Sequence, residues 1–423
     1  MPKMFLLSRE KRFLVLKSAF VVLTLIIFAN CGGSGGGHGG GGGVVTTVFS
    51  LPYAMYGHRA TLLGNEDDIL LTGGFNSSDN PSAQAVIYDS VTGLFHHPFS
   101  DLNERRSNHE ATRLTKGGTR APRDTVLITG GEGLSFITND AEYYDEILDD
   151  FVTTQSSMID DRKRHSSTEI DCNCSLDGYV LIAGGRDNFG VLDTAELFNP
   201  NTGQFIAVSD RLVRPREHHS ATLLPDGRVL LAGGNTSTGV TKTAEIFDPL
   251  TLRFTSAASL MSDPRQMHRA IRVGNRTVNT ADDSVLVVGG LDDLDLVLDT
   301  GDLFDTVFDD FDKINDTLLF EVFHQAVEKL PNSFVSDAAI MGGYTDFNPS
   351  SPLDSDATAE VEYFRYTPTS SNAPDGFFLS TAPDLYRSRA LHSATLVDKG
   401  DGPIVVIGGV DFAGFARASG EDF

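Results

Sequence analysis

His219-Ser220-Ala221-Thr222-Leu223-Leu224-Pro225-Asp226-Gly227-Arg228-Val229-Leu230-Leu231-Ala232-Gly233-Gly234 is the stretch on which the fold turns. Alternation with β-branched residues after His219 predicts a first strand. Pro225-Asp226-Gly227-Arg228 is a hairpin signal, and the unbroken apolar run Val229–Ala232 predicts a second strand buried on both faces. A Gly-Gly pair closes that run. The pair recurs as Gly73-Gly74, Gly130-Gly131, Gly184-Gly185, Gly289-Gly290, Gly342-Gly343 and Gly408-Gly409. Successive pairs lie 57, 54, 49, 56, 53 and 66 residues apart. A period near fifty, built of strand-sized runs and turns, predicts a radial or stacked all-β architecture.

The rest of each period has its own signature. A histidine precedes every first strand: His58, His109, His165, His219, His268, His324 and His392. After the glycines comes a third strand of repeated form, as in Ala195-Glu196-Leu197-Phe198 and Ala244-Glu245-Ile246-Phe247. An aromatic there is followed seven residues later by phenylalanine in Tyr88/Phe95, Tyr144/Phe151, Phe198/Phe205, Phe247/Phe254 and Phe304/Phe311. That spacing fits a tight turn into a fourth strand, with both rings packed on the adjacent sheet.

Four strands per repeat, a Gly-Gly after the second and a spaced aromatic pair resemble the kelch motif. The likeness spans residues 44–423 and implies a seven-bladed β-propeller of galactose-oxidase-like architecture. Phenylalanine stands where that family usually carries tryptophan, and the chain has no Trp. After residue 409 there is room for one further strand but not two, so residues 44–51 are expected to complete the last blade. The sixth repeat is irregular, with an insertion over residues 344–359 and a displaced aromatic pair near Tyr363 and Phe378.

Residues 1–30 differ in kind. Lys3, Arg9, Lys11, Arg12 and Lys17 precede a twelve-residue apolar stretch, residues 18–29, the layout of a secretory signal. Phe28-Ala29-Asn30-Cys31 resembles a bacterial lipobox, which implies a lipid anchor at Cys31 and an address in the bacterial cell envelope, at the outer membrane. Residues 31–43 are almost all glycine and are expected to act as a flexible tether. The net charge of −25 argues against nucleic acid or anionic lipid as a partner.

Several groups are candidates for chemistry. The seven repeat histidines would ring one end of the channel if, as the resemblance implies, first strands lie nearest the axis. Arg106, Arg162, Arg216, Arg265 and Arg389 each stand three residues before one of them. A residue present in every blade is expected to serve blade-to-blade hydrogen bonding, like the glycines, rather than a metal or an anion. Ten aspartates lie between Asp292 and Asp316, enough oxygen to raise calcium, but without the glycine and terminal glutamate of an EF-hand loop. No cofactor is therefore expected. Cys172 and Cys174 are expected to be a local disulfide or inert thiols. The copper enzymes of this architecture use a Tyr–Cys crosslink with further Tyr and His ligands, a set the sequence does not reveal. Sialic-acid mutarotases also use kelch propellers.

The leading expectation is a monomeric, non-enzymatic binding or adhesion module, recognising a protein or glycan of the envelope through loops such as residues 116–123, 135–140 and 344–359. Tyr56, Tyr344 and Tyr386 would offer faces to a sugar. The alternative is a sugar-modifying envelope enzyme, mutarotase-like or oxidase-like, with its site at the channel mouth. Converging Glu, His and Arg from several blades would favour the enzyme, and a flat, loop-covered face the binder.

Overall fold

The computed structural model describes residues 48–274, 283–318, 322, 325–329, 338–345, 357–367, 375–379, 385, 390–396, 404–409 and 419–422. These residues are all-β, and their strands form seven four-stranded antiparallel sheets. One sheet holds Ser220–Leu223, Val229–Ala232, Ala244–Asp248 and Arg253–Ser256 in that order. Leu224 N donates to Arg228 O at 2.7 Å across the first hairpin. Gly227 takes φ 89° there, in the left-handed region that a Cβ disfavours.

The second strand is buried on both sides because it is shared between two cores. Val229 and Leu231 pack with Leu181 and Ala183 of the preceding sheet. Leu230 and Ala232 pack with Val285 and Val287 of the following one. Each such valine or leucine side chain contributes ~1.5–3 kcal/mol. The third hairpin is set by an Asx turn, in which Asp248 Oδ1 accepts from Leu250 N at 2.8 Å. Asp89, Asp145, Asn199 and Asp305 cap the corresponding turns in the same way. This turn fixes the register, so Phe247 faces Phe254 directly with ring centroids 5.0 Å apart. In the sixth sheet the pair is Phe364 and Phe378, also in register and 5.3 Å apart.

Gly130 and Gly131 show what the double glycine is for. Both have positive φ, 59° and 103°. A Cβ on Gly130 would lie 2.3 Å from Arg162 O of the next sheet, and one on Gly131 would lie 2.7 Å from Ser107 O of its own. The close approach lets Gly131 N donate to Arg162 O at 2.9 Å. The same bond joins Gly74 to Arg106, Gly185 to Arg216, Gly234 to Arg265 and Gly290 to Val322. It also joins Gly409 to Met55, linking the last sheet to the first. Within the last sheet, Val48–Ser50 lies beside Ser419–Asp422, with Val48 opposite Glu421 and Ser50 opposite Ser419.

The four described arginines before the histidines are structural. Arg216 is almost wholly buried; its guanidinium donates to Gly233 O at 2.6 Å and pairs with Glu245 of the third strand. Glu245 in turn accepts from Val213 N at 2.7 Å. Arg106 with Glu142, Arg162 with Glu196 and Arg265 with Asp302 repeat the arrangement, each pair buried. Every clamp therefore ties the start of a sheet to its second and third strands.

Candidate functional site

The first strands of successive sheets touch one another in chain order, and Ser393–Leu396 touches Arg59–Leu62. They line two adjoining cavities of about 130 and 210 Å³, which share Arg59, Glu110, His165, His219, His268 and Arg269. Charged and polar groups from several sheets thus converge on one channel.

The repeat imidazoles are buried between sheets. His58 Nε2 lies 2.9 Å from Ser393 Oγ, His109 3.0 Å from Thr72 Oγ1 and His165 2.9 Å from Thr129 Oγ1. His219 and His268 reach Ser166 and Ser220 in the same manner, each at 2.9 Å. Nδ1 of each of these five has no partner, so the neutral ring with its proton on Nε2 costs least. Burial is the main cause of their lowered basicity, with neighbouring arginine charge adding to it. His58 is pushed down to about 4 and His219 to about 3. His109, His165 and His268 fall well below the ordinary histidine range for the same reasons.

The sixth repeat departs from the expected assignment. A Cβ on Gly289 would meet Val322 O and the Gln325 side chain, the places Arg106 O and His109 hold at Gly73. Gln325, not His324, therefore stands at the repeat position, and Gln325 Nε2 donates to Val288 O at 2.9 Å. His324 itself lies outside the described residues, as does Arg389.

The residue immediately after the histidine carries the chemistry that repeat reading overlooked. In three sheets it is the serine that serves the next imidazole: Ser166, Ser220 and Ser393. In three others it is Arg59, Glu110 or Arg269. Where Arg59 and Glu110 displace the serine, the directly opposite residues Thr72 and Thr129 supply the hydroxyl. Opposite Arg269 stands Val288, with no hydroxyl, and there Gln325 replaces the next histidine. Three charged residues have been built into the channel, each with a compensating change that keeps its junction bonded. The signal in the sequence is a loss of periodicity at one position, invisible to a reading that counts agreements.

Arg59 Nε donates to His109 O at 2.9 Å, and its guanidinium pairs with Glu110. Burial raises the Glu110 carboxyl above the usual range, and the charge of Arg59 offsets this only in part. Burial likewise lowers Arg269, to about 10, with the like charge of Arg59 acting the same way. At the mouth, the residue before each of the six described repeat histidines adopts positive φ: Asn108, Arg164, His218, Met267 and Leu391 lie between 53° and 57°, and Gly57 is at 58°. Such conformations cost non-glycine residues of order 1–3 kcal/mol and cluster at functional sites. Backbone bonds link them around the opening, from Arg164 N to Asn108 O, His218 N to Arg164 O, Met267 N to His218 O and Gly57 N to Leu391 O. One arc of the mouth is polar (Asn108, Arg164, His218) and the other apolar (Met267, Leu391).

The remaining candidates lie elsewhere. Cys172 and Cys174 are disulfide-bonded to each other in a turn. The aspartates of the fifth sheet are used singly: Asp302 on Arg265, Asp309 on Arg228, and Asp292 and Asp305 as turn caps. Tyr56 and Tyr344 are buried, Tyr56 stacked on Phe75, so neither offers a face to a sugar; Tyr386 is outside the described residues. The 116–123 loop packs on the next sheet, with Arg120 N and Ala121 N donating to Pro200 O. In the 135–140 loop Phe136 is exposed, and residues 346–356 of the third loop are not described. Cys31 and the tether are likewise outside the described residues.

No family model matches the chain. No curated protein matches it either. Among solved structures it is similar to a fungal alcohol oxidase of the AA5 family in complex with copper, at 14% identity and a TM-score of 0.64, covering 90% of this chain and 76% of that one. At that identity the likeness concerns the fold, and it agrees with a galactose-oxidase-like, propeller-type architecture. The expectation of a non-enzymatic binding module is corrected here. The similar structure is an oxidase, and charged groups converge in a channel instead of leaving a flat, loop-covered face.

The copper of that oxidase does not find matching donors among the described residues. The channel lining contains no Tyr or Cys, and Cys172 and Cys174 are committed to each other. The channel imidazoles present Nε2 to hydroxyls of the neighbouring sheet, and among the described residues no group of three His, Cys, Asp or Glu is arranged to hold a metal.

Proposed function

We propose that this chain is a sugar-modifying enzyme working at the mouth of the channel. The observation that carries the reading is the replacement of the repeat serine by Arg59, Glu110 and Arg269, each with its compensation. A fold gains nothing in stability from half-buried charges on its axis, where desolvation opposes them.

The arrangement suits proton transfer at an anomeric centre. Glu110 has a raised carboxyl pKa, so it holds a proton closer to neutrality than an ordinary carboxylate. In ring opening it would give its proton to the ring oxygen as the C1–O5 bond breaks, while solvent water takes the proton of the anomeric hydroxyl as C1 becomes a carbonyl; ring closure reverses both transfers. Arg59 positions Glu110 and neutralises it when it is ionised. The apolar arc at Met267 and Leu391 suits the C–H face of a sugar, and the polar arc its hydroxyls.

Sugar interconversion followed by saturation-transfer NMR, alongside peroxide release with added copper, tests the proposal. Glu110→Gln should lower the interconversion rate by ~10²–10⁴-fold with folding intact. A wild-type rate in that variant, or no turnover by the native protein in either assay, would sink it.

In this reading the seven sheets are the blades of a closed seven-bladed propeller. The same inter-sheet bond at Gly409 and Met55, and the pairing of Val48–Ser50 with Ser419–Asp422, support that closure. The reading also places the enzyme, as a monomer, in the bacterial envelope, exported by residues 1–30 and held at the outer membrane by lipid on Cys31 through the glycine tether. The lipobox-like Phe28–Cys31 supports it. Cys31→Ser should move the protein from the membrane to the soluble fraction; unchanged fractionation would end the lipoprotein assignment.

A further inference from the structure

Arg59 and Arg269 occupy the same position in two repeats, and their surroundings can be compared group by group. Each guanidinium is anchored through Nε to a carbonyl at the repeat position of the next sheet: Arg59 to His109 O and Arg269 to Gln325 O, both at 2.9 Å. The residue after that carbonyl then differs. For Arg59 it is Glu110, whose carboxylate completes an ion pair. For Arg269 it is Ala326, which has no carboxylate to give. Among the described residues Arg269 has no ion-pair partner within 4.0 Å, although it lines both cavities of the channel. Glu110 acts on Arg269 only through its charge, without a contact, so the remaining guanidinium donors stand open to an anion in the channel.

We propose that the channel takes a carboxylate-bearing sugar, a hexuronate-class substrate, whose carboxylate sits at Arg269 in the place that Glu110 holds at Arg59. The inference rests on the reading of the channel as the substrate site and narrows its substrate class. The forked guanidinium receives the carboxylate by two parallel N–H···O bonds. Glu110, already engaged by Arg59, is left to act on the sugar ring. The chain carries a net charge of −25 and repels anions in general, so attraction of a hexuronate would have to be local.

Calorimetric titration of the full chain with glucuronate, galacturonate and mannuronate, each against its parent hexose, tests this. At least one hexuronate should bind ten-fold or more tightly than its hexose, and Arg269→Gln should abolish that preference. Ala326→Glu should abolish it too, by supplying the missing carboxylate from within. Melting curves check that the variants fold, and if Ala326→Glu does not fold, Arg269→Gln alone decides. Equal binding of acid and hexose, no hexuronate binding, or an Arg269→Gln variant that keeps the preference would overturn the proposal. Turnover is measured separately: hexuronate binding without turnover leaves this site standing and removes the enzymatic reading. Turnover of neutral hexoses alone does the reverse.

Discussion

Acidification from pH 7 to pH 5 should destabilise this protein steeply and lower its melting temperature. The driving groups are the five described repeat imidazoles with lowered pKa, His58, His109, His165, His219 and His268. In the unfolded chain each takes up a proton near pH ~6.5. In the fold His58 remains neutral down to about 4 and His219 down to about 3. Between those limits the unfolded state binds more protons, so stability falls as pH falls. By pH 5 each neutral, buried histidine has lost about 2 kcal/mol, and five together reach the size of a domain's whole stability, ~5–15 kcal/mol. Ordinary carboxylates titrate mostly below this window, which isolates the histidines. Thermal melts at constant ionic strength check the prediction, and a melting temperature flat from pH 7 to 5 would refute it.

Glu245→Gln should cost ~3–5 kcal/mol, because it strands Arg216 as a buried charge without its counter-ion. The double variant Arg216→Met/Glu245→Leu should recover part of that loss by removing both charges. Recovery is incomplete because Val213 N loses the carboxylate that now accepts its hydrogen bond. Denaturant titrations of the single and double variants give both numbers. A single-variant loss below about 1 kcal/mol would show that the clamp contributes little.

The sheets were legible in the sequence because their determinants are local and repeated. Val229–Ala232, Gly227 and the Phe247/Phe254 spacing each report a turn or a strand within a few residues. The Arg–Glu clamps were half visible: both residues recur, but the carboxylate lies 29 residues beyond Arg216, across two strands, and only pairing registers bring them together. His324 misled because the sixth repeat slips by one residue, and only the contact of Gln325 with Gly289 reveals the slip. The channel charges were least legible. Arg59, Glu110 and Arg269 break the pattern, and their compensations at Thr72, Thr129 and Gln325 belong to other strands or to the neighbouring sheet. A period detects what every repeat shares, whereas a site is made of what a few repeats do not.

The pairing of Val48–Ser50 with Ser419–Asp422 has a consequence for biogenesis. Synthesis runs from the N-terminus, so Val48–Ser50 finds its partner only after roughly 370 further residues have been added. Until then the last sheet lacks its Val48–Ser50 edge strand, and that strand and its partner keep unpaired backbone donors. Loop closure over that distance is slow relative to local hairpin formation. A ribosome stalled anywhere in the molecule therefore holds a set of formed hairpins but no finished protein. Chaperones that bind exposed strand edges would recognise those unfinished chains and ignore the completed one.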